Sequence, residues 1–147
     1  MIELVAVDRE DESKGKCLVS VLNIVMIREY ETHCTITTSD GDEIYVATSF
    51  AKIKEKLSEV YSEMSSYWIE LSKTRYDDTS AKGCLIKRKY VVSVFEYPNG
   101  ARIDLYDFQS NYSYTVVAQE TFGEILEKFK GKIEEKKELV RQVKKEM

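Results

Sequence analysis

At 147 residues, 43% hydrophobic and 33% charged, with one proline and six glycines, the chain has the size of one compact domain or two very small ones and the composition of an ordered protein, not a disordered segment. Its net charge of −4 disfavours general affinity for nucleic acid, whose binders carry a basic excess; here "IKRKY" (86–90) and lysines set among glutamates near the C-terminus are the basic clusters. No apolar run approaches the roughly 20 residues that cross a bilayer, and "MIELVAVDRE" turns acidic where a secretory leader is basic.

In chain order, "IELVAV" (2–7) alternates as a first strand, and the acidic stretch "DREDE" (8–12) reads as a solvated link. "CLVSVLNIVMIREY" (17–30) is rich in β-branched residues, with Asn23 marking a turn or bulge. "HCTITTSDGDEIYVA" (33–47) carries an Asp-Gly hairpin signal at Asp40-Gly41. Ser49 can cap a helix whose apolar positions Phe50, Ile53, Leu57, Val60, Met64 and Tyr67 share one stripe. "YWIEL" (67–71) suits either the end of that helix or a new strand.

Repetition decides in favour of the strand. Sliding the sequence by 67 residues sets 2–40 on 69–107 without gaps and yields 12 identities in 39 positions, where chance yields roughly two or three. They include Ile2/Ile69, Leu4/Leu71, Cys17/Cys84, Leu18/Leu85, Glu29/Glu96, Tyr30/Tyr97 and Asp40/Asp107. The register then slips by five residues, so that "SFAKIKEKL" (49–57) faces "TFGEILEKF" (121–129), with Thr121 replacing Ser49. This pattern predicts an α+β fold of two tandem β-rich repeats, each followed by an amphipathic helix, packed about a pseudo-two-fold axis as a single unit. Repeat 1 spans 1–67 with a helix at about 49–66. Repeat 2 spans 68–147 with a long C-terminal helix at about 120–146, whose surplus apolar stripe points to self-association.

The first copy resembles the small flagellar-operon proteins of the FlbD type, through "MIEL", "VLNIVMI", "TITTSDGDEIYV" and "SFAKIKEKL" in that order. The resemblance covers about residues 1–57, then more weakly 69–130, and implies a regulatory role without a catalytic motif to carry over. The strand pattern is also similar, more loosely, to LytTR-type domains, which implies nucleic-acid binding.

Chemistry is sparse. His33 is the sole histidine, which excludes a two-histidine metal site, and His33, Cys34, Cys17 and Cys84 lack the two-to-four-residue ligand spacing of structural zinc. Cys17 and Cys84 read as small hydrophobes at equivalent core positions. No phosphate loop or nucleophile elbow occurs. No enzyme, no cofactor and no metal are therefore expected.

Two features suit binding. The Glu29-Tyr30 and Glu96-Tyr97 pairs end equivalent strands and read either as edge residues hydrogen-bonded within the fold or as polar hooks at the seam between copies. The five-residue insertion in copy two adds Phe108, Asn111, Tyr112 and Tyr114 near Arg102 and Tyr106, which reads either as a longer hairpin whose aromatics cap the core or as an aromatic and amide set that suits a stacked base or a protein hot spot. The expected function is that of a non-enzymatic binding or regulatory protein of the cytoplasm. It self-associates through the C-terminal helix and acts through protein contacts. The alternatives are a nucleotide-signal sequestering protein of the viral immune-evasion type, from a phage for example, and a LytTR-like regulator.

Overall fold

The computed structural model describes residues 1–7, 14–76 and 79–129. Among the described residues ten strands form one antiparallel sheet: β1 (Ile2–Val7), β2 (Lys14–Val19), β3 (Ile24–Glu29), β4 (Cys34–Thr38), β5 (Glu43–Val46), β6 (Trp68–Tyr76), β7 (Thr79–Lys87), β8 (Val91–Tyr97), β9 (Gly100–Asp107) and β10 (Tyr112–Ala118). Their order across the sheet is β2-β1-β5-β4-β3-β7-β6-β10-β9-β8.

The elements of the second half follow those of the first at the 67-residue shift, down to local irregularities. A short 3-10 turn precedes β3 at Val21–Asn23 and β8 at Arg88–Tyr90. Both strands then carry a bulge at the same place, with pairing skipped between Ile24 and Met26 in one and between Val91 and Ser93 in the other. Cross-strand register recurs too: Ile2 faces Val19 as Ile69 faces Ile86, and Ile27 faces Ile36 as Val94 faces Ile103.

The expected α+β class does not form. Among the described residues helices are few and short, and the sheet dominates. α1 (Phe50–Val60) is capped by the Ser49 hydroxyl, which accepts from Lys52 N at 3.2 Å, and it buries Phe50, Ile53 and Leu57. It stops before the expected end near 66: Val60 is exposed, and α2 (Met64–Tyr67) is a separate single turn. In α3 (122–129) the Thr121 hydroxyl accepts from Glu124 N at 3.2 Å while Glu124 reaches back, a capping box. Arg88 donates at 3.0 Å to the carbonyl of Phe129, the last described residue of this helix. The helix predicted beyond residue 129 lies outside the described residues.

The expected pseudo-two-fold packing does not form either. A two-fold axis sets like against like, so the same strand of each half would meet at the axis. Here β3 of the first half pairs with β7, the counterpart of β2, in the second. The halves are joined head to tail by backbone hydrogen bonds, Met26 facing Ile86, Ile27 facing Leu85, Arg28 facing Cys84 and Glu29 facing Gly83. The reason is geometric: each half leaves an open ladder on two different outer strands, and joining unlike edges satisfies both.

Two apolar clusters lie on opposite faces of this sheet. One gathers Ile2, Leu4, Ile24, Ile27, Ile36 and the α1 residues, completed by Trp68 and Leu85 from the second half. The other gathers Ile69, Leu71, Ile86, Ile103, Leu105, Val116 and Ile125, with Val25 and Met26 from the first. Neighbouring residues of a strand point to opposite faces, so Ile27 with Leu85 and Met26 with Ile86 mark the two sides. β3 is buried on both.

Candidate functional site: a seam cleft and two sheet edges

At one end of the seam the chain leaves β3 through Glu29 and Tyr30. Tyr30 N donates to His33 O at 2.9 Å, and the Tyr30 ring stacks on His33 with centroids 5.2 Å apart. Arg28 is buried, donating to Tyr30 Oη at 2.8 Å and to Glu43 at 2.5 Å, so its charge is matched inside the sheet. Glu29 packs against Gly83, where a Cβ would come within 3.2 Å of its carboxylate. The second half supplies Thr74, Arg75, Lys82, Asn99 and Gln119, and with Tyr30 and Glu31 they enclose an open cleft of about 660 Å³. Its basic groups are partly offset, since Lys82 lies 3.8 Å from Glu31.

Glu96 and Tyr97 do not join Glu29 and Tyr30. They end β8, the last strand of the sheet, facing Ala101 and Gly100, with four strands between β8 and β3. The two Glu-Tyr pairs are therefore one at the seam and one at the rim.

The insertion divides in two. Tyr114 is buried and donates to Thr38 O of the first half at 3.3 Å, and the Tyr112 ring lies against Gly41, so these two brace one hairpin on the other. Asn111 takes a left-handed φ of 62°, which asparagine tolerates, and accepts from Tyr106 Oη at 2.8 Å. Phe108 stands exposed, its ring edge-on to Tyr106 at 4.7 Å. Arg102 lies on the Phe95 ring at 4.3 Å and donates to Asp104 at 3.1 Å; its hydrogen bonds to Tyr97 and Asp104 push its guanidinium further toward the charged form.

The cysteines offer no nucleophile at the core. Burial, then the Glu29 charge, pushes the Cys34 thiol up to about 11, and burial pushes Cys84 up to about 12. Cys17 is only half-buried, unlike its counterpart, because β2 is an outer strand.

Sequence reasoning passed over the two rims. Among the described residues β2 and β8 each have one sheet neighbour. Leu18 on β2 and Val92 on β8 are exposed, and beside β8 the residues Val91, Val94, Phe122, Ile125 and Phe129 line an apolar groove of about 240 Å³. The available signal was "VVSVFEY" (91–97) against the fully apolar "IVMI" (24–27): the first is an edge strand, the second a central one. Among the described residues no helix is long and apolar enough to cross a membrane. The chain matches no family model, no curated protein and no solved structure.

Proposed function

We propose that this chain is a non-catalytic, self-associating regulatory protein of the cytoplasm that acts through protein contacts. The observation that carries this reading is the pair of apolar rims. Leu18 and Val92 are exposed on strands that, among the described residues, have open ladders, an arrangement that unpartnered sheets avoid. Light scattering on the full chain tests it. A mass above the 17.1 kDa chain that grows with concentration is expected, and deleting residues 131–147 reports how much of the contact the C-terminal segment supplies. A mass of one chain at every concentration overturns self-association.

The seam cleft supports a second reading, a nucleotide-sized ligand held between halves. Arg75 supplies charge, Asn99 and Gln119 supply amide groups, and Tyr30 supplies an aromatic face. Glu31 at the same rim opposes an anion, which ranks this reading second. A thermal-shift panel of cyclic and linear nucleotides tests it. A shift that is lost in Arg75→Ala favours it, and a flat panel removes it.

A further inference from the structure

We infer that the two outer strands are halves of one interface, and that a second copy of this chain docks its β2 on β8, repeating between molecules the β3·β7 seam inside each. This rests on the self-association proposed above and names its surfaces.

The argument starts from residues that repeat in sequence but differ in burial. Leu85 is 3% exposed in the seam, while its counterpart Leu18 on the free β2 edge is 66% exposed. Val25 is fully buried in the seam strand β3, while its counterpart Val92 on β8 is 54% exposed. Trp68, at 3%, completes the first apolar cluster, and its counterpart Met1 is 79% exposed. Each exposed residue stands where the neighbouring half is missing.

The groove beside β8 follows the same logic. Its lining residues Val91, Val94, Phe122, Ile125 and Phe129 are the counterparts of Ile24, Ile27, Phe50, Ile53 and Leu57. In the first half those five belong to the cluster that Leu85 and Trp68 complete. In the second half the corresponding places fall to Leu18 and Met1, which the same molecule holds at the opposite end of the sheet. Only another chain can bring them.

Register transfers residue by residue. The internal pairs Met26–Ile86, Ile27–Leu85, Arg28–Cys84 and Glu29–Gly83 become Ser93, Val94, Phe95 and Glu96 of one molecule facing Val19, Leu18, Cys17 and Lys16 of the second copy. The last pair sets a carboxylate against an ammonium. Both groups lie free of strong partners at home: Lys16 has only a 3.6 Å contact with Glu3 at the exposed surface. Lysine on a rim normally repels a like rim, so Lys16 discourages β2·β2 pairing while admitting β8. Because the interface joins unlike edges, it does not close at a dimer, and association proceeds to chains or rings.

Sedimentation velocity on the full-length protein tests this. The singly altered chains Lys16→Glu and Glu96→Lys each set like charges in register, and each should associate about threefold to tenfold more weakly than the unaltered chain. Mixed one to one they should recover, because every mixed interface again opposes one carboxylate and one ammonium. Leu18→Lys, at a position exposed in the single chain and so tolerated by its fold, should weaken association by at least about tenfold. Association that ignores all three changes, or two charge variants that fail to rescue each other, overturns the edge interface. If deletion of 131–147 alone abolishes it, self-association stands and the edge assignment falls. A strictly monomeric unaltered chain removes both.

Discussion

Lys87 shows how one side chain reports on the seam. It sits in β7, almost wholly buried, donating to Val21 O at 2.6 Å with its charge 5.1 Å above the Trp68 ring. Burial, helped by the nearby Lys89 charge, lowers its pKa from 10.5 to about 8. The unfolded chain keeps this lysine protonated up to the higher value, so between pH 8 and 10.5 unfolding takes up a proton and stability rises with pH. Below pH 8 both states hold the proton and the whole penalty of the buried ammonium is present. The melting temperature of the unaltered protein, minus that of Lys87→Met, should therefore climb across pH 8 to 10. A difference that stays level or falls there contradicts a buried, neutralising lysine. The sequence shows Lys87 only as part of a basic cluster, since nothing local indicates that a neighbouring half will cover it.

At the scale of elements, the halves are braced by hairpins as well as by the seam. Gly41 turns the β4–β5 hairpin at a φ of 85°, and an added Cβ there would come within 2.7 Å of the Tyr112 ring. Gly41→Ala should cost about 1–2 kcal/mol in urea denaturation from backbone strain and crowding together. In a Tyr112→Ala background the crowding is gone, and the cost of the same change should shrink; equal costs in both backgrounds would mean that the two hairpins do not press on each other. Much at this scale was legible. The Asp-Gly turn, the Ser49 and Thr121 caps and the strands of both copies follow from turn chemistry and periodicity, which are local. The length of α1 was not, because the stripe runs on in sequence through Val60, which is exposed, to Met64, which packs on the same core from the separate turn α2. The joining of β3 to β7 was hidden for another reason: strand pairing is made by backbone groups that every residue carries. Its one trace is burial on both faces, visible as the unbroken "IVMI" of 24–27.

For the whole molecule, head-to-tail joining has a consequence that a two-fold arrangement lacks. A two-fold pairing uses the same edge of each half and leaves two like edges at the ends. Joining unlike edges leaves the same unlike pair at the ends, here β2 and β8 with Leu18, Val92 and the groove by α3 uncovered. In the aromatic insertion Tyr112 and Tyr114 brace one hairpin on the other, and the surfaces proposed here for a partner are the rims.

Cross-linking across that proposed interface tests this most directly. Phe95→Cys places a thiol opposite Cys17 of the next molecule, while Cys34 and Cys84 stay buried. Mild oxidation with diamide should build a ladder of covalent dimers, trimers and longer species, with peptide mass spectrometry joining position 95 to Cys17. Products that stop at a dimer joined through position 95 of both chains, or a bond formed within one chain, would contradict head-to-tail growth.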